Sequence, residues 1–265
     1  MENLSMCVYT TQFATLTSEY PAWKDYTIKK QLPPSLWLET PDYPLSERPQ
    51  YGNPSPVIGI GNWGTIMLQK DDQTYWDWAQ FAPPRSMWPG GKAMPYYNAK
   101  VETLEEYQAG VKKGPFSKVV KEDLQQRMCV FWVNSFFESN GNKSKPRWFH
   151  IFREDRKFIP LAGFYHQIED VDKGILWPGF TIITRDPYDI VAQTGHDRSP
   201  GILPYDHVST WLNPNNTVDS KLSMLADSPA GLFKVDEVGK STVTKRTAAA
   251  TTPIEGGENF AVGSL

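Results

Sequence analysis

Proline and glycine decide the first question about this chain. Its 265 residues include 22 Pro and 19 Gly, spread so densely that few stretches can sustain a long helix. Proline removes a backbone donor and glycine weakens a helix interior, so short strands and loops are expected instead, with a few brief helices between them. The chain nevertheless has the material for a core: 40% of residues are hydrophobic and ten are Trp, which excludes global disorder. Two cysteines, Cys7 and Cys129, and four scattered histidines supply neither a disulfide framework nor a paired metal-ligand spacing. A net charge of -3 excludes a broad basic coat of the kind that wraps duplex nucleic acid.

Local pattern then divides the chain. Gln31 to Pro56 contains seven prolines and reads as an extended connection, out of which Trp63 to Leu68 leads as a strand. Thr103 and Glu106 have capping-box spacing, starting a helix that sets Leu104 and Tyr107 on one face and stops at Gly114 and Pro115. A second helix is expected over Phe116 to Gln126. The apolar run Met128 to Phe137 is the best buried strand, Phe180 to Thr184 is another, and Arg147 to Phe152 with Phe158 to Tyr165 reads as a hairpin. Beyond Lys245 the composition turns to Thr, Ala and Gly, so 246–265 is expected to be a disordered tail. Met1 to Met6 carries no signal-peptide pattern and no apolar run is long enough to span a bilayer, which points to the reducing cytoplasm.

Individual polar residues say little. Cys129, inside MCVFW, reads as a small buried hydrophobe. Glu138 closes the run FWVNSFFE, where a carboxylate is either a solvated strand end or an acid/base group tuned by burial. His196 in TGHDRSP fits a loop hydrogen-bonding residue, and Asn98 in YYNAKVET fits a turn cap.

Their order says more. Met6-Cys7, Trp63-Gly64, NAKVET at 98–103, a glutamate ending an aromatic strand at 138, LAGFY at 161–165, FTIIT at 180–184 and HDRSPGIL at 196–203 follow one another along the chain. This ordered set resembles the SOS response-associated peptidase (SRAP) family, over Met6 to about Lys240. The resemblance implies a sensor of abasic sites in single-stranded DNA that forms a covalent thiazolidine through an N-terminal cysteine. Cys7 matches that cysteine, Asn98 the asparagine that holds it and the substrate, Glu138 the acid/base glutamate, and His196 the histidine that assists sugar-ring opening. Thr184 and Arg198 match positions lining the site and the phosphate path, Lys100 stands for the arginine of the Asn-Ala-Arg motif, and Trp63 is the best candidate for stacking a base. Trp88, Tyr96 and Tyr97 are further stacking candidates.

The residue types suit that chemistry. An amine condenses with an aldehyde to a Schiff base, and a thiol two carbons from that amine can close a five-membered ring on it. Only an N-terminal cysteine has both groups. As written, Met1 to Met6 precede Cys7, so its nitrogen is an amide. Translation from Met6 with loss of the methionine, or self-cleavage before Cys7, would free it. Val8-Tyr9 stand where the family usually has Gly-Arg, Lys100 keeps charge but loses the guanidinium fork, and Ser135-Phe136 replace the usual approach to the glutamate.

The expectation is therefore an α+β chain with one domain, a β-barrel-like, mainly antiparallel core and peripheral helices. Residues 1–6 would form an extension, 7–245 the domain and 246–265 the tail. No cofactor, metal or membrane is expected, and the chain should act as a monomer on single-stranded DNA containing abasic sites. The rival readings are a cysteine peptidase acting on its own N-terminus and a non-catalytic single-stranded DNA binder.

Overall fold

The computed structural model describes residues 9–11, 57–59, 63–70, 73–81, 98–113, 117–140, 142, 144–155, 158–170, 175–226 and 233–239. Cys7 with its extension, the proline-rich connection, Trp88, Tyr96, Tyr97 and the C-terminal tail lie outside these residues.

A ring of pairings organises the larger sheet. Strands β3 (Trp63–Lys70) and β4 (Gln73–Phe81) are antiparallel neighbours. β3 then pairs with β6 (Met128–Val133), and β6 with β9 (Ile159–Asp170). β9 pairs with β10 (Ile175–Arg185), which returns to β4 through a short parallel contact at Gly179 and Phe180. The sheet thus curls into the barrel-like, mainly antiparallel core that was expected. β5 (Asn98–Lys100) and β11 (Ser199–Pro200) attach to the far end of β10. A second sheet of five strands runs β12 (Phe233–Val238), β8 (Trp148–Arg153), β7 (Ser135–Ser139), β1 (Tyr9–Thr11) and β2 (Val57–Gly59).

Strand periodicity assigns the side chains to two cores. Successive residues of a strand face opposite ways, and here both faces are apolar. Ile66, Leu68, Phe131, Val133, Leu161, Phe180 and Ile182 join one cluster. Met67, Val130, Trp132, Ala162, Phe164 and Ile183 join the other, which the helices cover. Phe180 stacks at 5.2 Å on Phe81 and at 4.7 Å on Phe131 at the centre of the first. Helix α1 (Val101–Gln108) contributes Leu104 and Tyr107 to the second, and α2 (Ser117–Gln126) contributes Val120 and Leu124. Gly163 lets β9 and β10 close: a Cβ there would sit 2.6 Å from the Thr181 carbonyl oxygen.

Three expectations change. The run Met128 to Phe137 is not one strand. It bends at Asn134 and passes from the larger sheet, as β6, into the smaller one, as β7. Sheets are commonly joined at such corners, and this one carries Glu138 away from the barrel. The segments flanking Arg153 to Lys157 are not a hairpin either: β8 pairs with β7 and β12, whereas β9 pairs with β6 and β10. Finally, α1 begins two residues before Thr103, with Lys100 as an N-cap that makes no side-chain cap bond. It ends at Gln108, where Gly110 adopts a left-handed φ of 74°.

Among the described residues, no helix is long and apolar enough to cross a membrane.

Candidate functional site

Glu138 and His196 meet in the interior. Glu138 sits near the end of β7, opposite Phe149 of β8, and is fully buried. His196 arrives from the opposite sheet. After β10 the chain turns through the short helix α3 (Asp189–Ala192), and Gly195 takes a left-handed φ of 85° that reverses it. This sets His196 Nε2 3.4 Å from Glu138 Oε2, with both side chains withdrawn from solvent. That distance is longer than a formed hydrogen bond, as acid/base pairs often are before substrate tightens them.

The loop carrying His196 is held from several sides. The Thr194 hydroxyl donates to the Val191 carbonyl at 2.7 Å and accepts from the His196 amide at 3.3 Å. Ser199 Oγ accepts from the Tyr188 amide, and the Tyr188 hydroxyl accepts from the Ile202 amide. The ring of His196 is gripped at its other nitrogen: Nδ1 lies 3.1 Å from the Arg198 amide nitrogen and 2.8 Å from the Arg198 carbonyl oxygen. A neutral ring that accepts from the amide keeps its proton on Nε2, facing Glu138. A ring that donates to the carbonyl instead turns its Nε2 lone pair toward Glu138. The proton on the Glu138-facing nitrogen can therefore change without any movement of the ring. Burial lowers the His196 pKa, with the Arg198 backbone and the Asp197 charge opposing, so the ring is neutral at neutral pH.

Asn98, Lys100, Thr184 and Arg198 gather along the end of β10. Asn98 is half-buried on β5 opposite Ile182, and the exposed Lys100 lies opposite Thr184. Thr184 is flanked on its other side by Pro200 and is 3% exposed. Arg198 is 9% exposed. Its guanidinium takes the Glu102 carboxylate on both Nη atoms at 2.8 and 3.0 Å, Asp186 at 3.1 Å and the Thr184 carbonyl at 2.8 Å. A phosphate at Arg198 would have to displace a carboxylate. Trp63 opens β3, its backbone paired with Gln80; its side chain, like all of Cys7, falls outside the described residues. Strand β1 begins two residues after Cys7, and its first residue, Tyr9, pairs with Phe137, next to Glu138.

Sequence reasoning passed over two groups. Glu102 lies within NAKVET, so the motif itself held the signal. Burial works against its ionised form, but the Arg198 hydrogen bond and charge prevail and hold its pKa below the usual value. The second group is a buried polar chain. Arg127 binds Asp123 at 2.6 Å, Asp123 binds His166 Nδ1 at 2.6 Å, and His166 Nε2 reaches the Thr181 hydroxyl at 2.8 Å. His166 and Asp123 are each 1% exposed, so this chain ties α2 to the barrel rather than meeting substrate. Its partners are up to 43 residues apart, and no local pattern announces it. Cys129 is fully buried, and burial pushes its thiol well up, as expected for a core residue. No group of three potential metal ligands occurs among the described residues.

The curled α+β barrel thus encloses a carboxylate–imidazole pair near the end of β10. Residues 54–245 match the family model described as SOS response associated peptidase (SRAP), well over half of the sequence, and the chain belongs to that family. It is 30% identical over 129 residues to the abasic site processing protein YoaM of Bacillus subtilis, covering 48% of this chain and 52% of that protein. The abasic site processing protein YoqW of Bacillus phage SPbeta matches at the same identity, with 52% of its length covered. The aligned stretch thus spans about half the length of these curated relatives. Among solved structures, a protein from Bacteroides thetaiotaomicron superposes with a TM-score of 0.64 at 17% identity, covering 94% of this chain and all of that one. A phage-related protein from Bordetella bronchiseptica gives 0.52 at 21% identity, over 69% and 81%. These likenesses show the fold. Cys7 precedes the residues matched by the family model.

Proposed function

We propose that this protein processes abasic sites in single-stranded DNA by forming a covalent link through Cys7, with Glu138 and His196 moving the protons. The observation that carries the reading is the meeting of those two side chains at 3.4 Å, out of solvent, in a member of this family. Support comes also from β1. A residue two positions from Tyr9 lies within roughly 7 Å of it by chain length alone, and Tyr9 pairs with the neighbour of Glu138.

The sugar of an abasic site is a cyclic hemiacetal. Opening it removes a proton from the C1′ hydroxyl and delivers one to the ring oxygen, a transfer suited to His196. The free α-amine of Cys7 then attacks C1′ and loses a proton. The resulting hydroxyl gains a proton and leaves as water, giving the imine, with Glu138 as shuttle. Finally the Cys7 sulfur adds to C1′ while its proton passes to the nitrogen, closing the thiazolidine. The α-amine ordinarily titrates near pH 7.7 to 8.0, so a useful fraction is neutral in cells. Asn98 would hold the amine. Lys100, Thr184 and Arg198 would guide the backbone of the strand, Arg198 exchanging the exposed Asp186 carboxylate for a phosphate while keeping Glu102, and Trp63 would stack a base.

Proteins starting at Met1 and at Met6 are incubated with an oligonucleotide bearing one abasic site and resolved under denaturing conditions. The shorter form should yield a crosslink that Cys7→Ala abolishes. A shift seen only in native gels would replace this reading with that of a non-covalent DNA binder. Spontaneous loss of residues 1–6, blocked by Glu138→Ala, would support a peptidase acting on its own N-terminus.

A further inference from the structure

We propose that Glu102 is a positioning residue for His196, acting through Arg198. The inference deepens the reading of His196 as a proton-transfer group and rests on it for its functional meaning.

The geometry forms one chain of contacts. The backbone N–H and C=O of Arg198 bracket His196 Nδ1, so the position of that residue's backbone biases the balance between the two tautomers. The side chain helps to hold that backbone, which the pairing of Ser199 with Arg185 and the Ser199 hydroxyl also restrain. The Arg198 guanidinium is bound fork to fork by Glu102, the arrangement that adds most geometric specificity to an arginine. Its remaining contacts are weaker restraints: the Thr184 carbonyl at 2.8 Å, and Asp186 at 3.1 Å, whose side chain is 79% exposed. Glu102 stands in the first turn of α1, two residues beyond the end of β5. One ion pair therefore ties the NAKVET segment to the imidazole across 96 residues of sequence.

Without the Glu102 carboxylate, a guanidinium that is 10% exposed keeps a single carbonyl and one solvated carboxylate. It must reorient toward water, and the bracket on Nδ1 loosens with it. The groups facing His196 are Glu138 from β7, Asp197 at 3.9 Å within its own loop, and the Arg198 backbone. Of these, only the last depends on Glu102. Lys100 also acts on Glu102, through its charge alone.

The test reads the ring directly. Protein labelled with 15N-histidine carries four imidazoles, and His196→Gln identifies the signals of the one in question. The wild type should show His196 as a neutral ring with one tautomer in excess from pH 6.5 to 8. Glu102→Ala should shift both its nitrogen signals toward the average of two tautomers, Glu102→Gln should fall between, and Asp186→Ala should match the wild type. Unchanged His196 signals in folded Glu102→Ala would overturn the proposal. So would an equal change in Asp186→Ala, which would mark general loosening of the loop. If Glu102→Ala fails to fold, Glu102→Gln decides by the same criterion. In crosslinking assays, Glu102→Gln should slow the saturated rate about tenfold while half-saturation stays within twofold. A wild type that forms no crosslink would defeat the functional reading and leave the imidazole spectrum to decide this one.

Discussion

His196 Nε2 faces Glu138 Oε2 across 3.4 Å, although one residue stands on a loop beyond β10 and the other near the end of β7 in a different sheet. Two consequences follow for catalysis. General acid–base groups contribute about 10²- to 10⁴-fold each, so Glu138→Gln and His196→Gln should each slow crosslinking by about that range. Because they act as a unit, the double variant should be little slower than the worse single one. Single-turnover rates on an abasic oligonucleotide check both points.

The His196 pKa should set a second acid limit on the same reaction, below that of the α-amine. Burial lowers it below the ordinary value of 6.5, so the neutral ring should survive to a more acidic pH than a solvated histidine would. In unfolded chains the ring protonates first as pH falls, so this group also withdraws stability below about pH 6.5. Below the limb set by the α-amine near pH 7.7 to 8.0, the rate profile should steepen again below pH 6.5, and His196→Gln should remove that second limb and flatten the acid fall in melting temperature.

Gly195 places His196 through a backbone conformation that L-residues adopt at a cost of about 1–2 kcal/mol. Among the described residues a Cβ there would meet Asn140, at 3.8 Å, so strain rather than collision decides the outcome. Gly195→Ala should destabilise the protein by about 1–2 kcal/mol in urea melts and slow the reaction by moving the imidazole.

Lys221, on the buried face of the helix α4 (Val218–Ser223), is 1% exposed, and among the described residues its side chain has no hydrogen bond or ion pair. Burial lowers its pKa to about 8. The unfolded chain therefore binds more protons between pH 8 and about 10.5, and stability contributed by this site rises with pH across that window. Lys221→Met should raise stability at pH 7 by about 2–3 kcal/mol and remove most of the gain between pH 8 and 10. Melts of both proteins at pH 7 and pH 9.5 provide the comparison.

The chain Arg127–Asp123–His166–Thr181 should be costly to break. His166→Ala leaves Asp123, 1% exposed, with one of its two partners, and removing a partner from a buried pair costs about 3–5 kcal/mol. Because this network lies apart from Glu138, the variant should lose stability while retaining the crosslinking rate at temperatures where it remains folded.

How legible all this was in the sequence depends on distance along the chain. Met128 to Phe137 and Phe180 to Thr184 read as buried strands because both faces of the barrel wall are apolar. The corner at Asn134 was invisible in the same pattern, since residues on both sides remain apolar while the strand changes sheets. The supposed hairpin across Arg153 to Lys157 failed for a related reason. Neighbouring segments with strand character pair by default, but each here had a better partner elsewhere. In the site, Glu138 and His196 were named from ordered motifs, whereas their approach is a product of the two-sheet topology. Arg198 was expected to meet phosphate. Its bidentate partner Glu102 lies 96 residues away, where no local reading of HDRSP could find it.

The most direct measurement is the intact mass and peptide map of the covalent adduct with an abasic oligonucleotide. We expect Cys7 as the N-terminal residue, carrying the sugar remnant with loss of one water. An adduct on protein that still begins at Met1 or Glu2, or a linkage that survives Cys7→Ala, would contradict the mechanism.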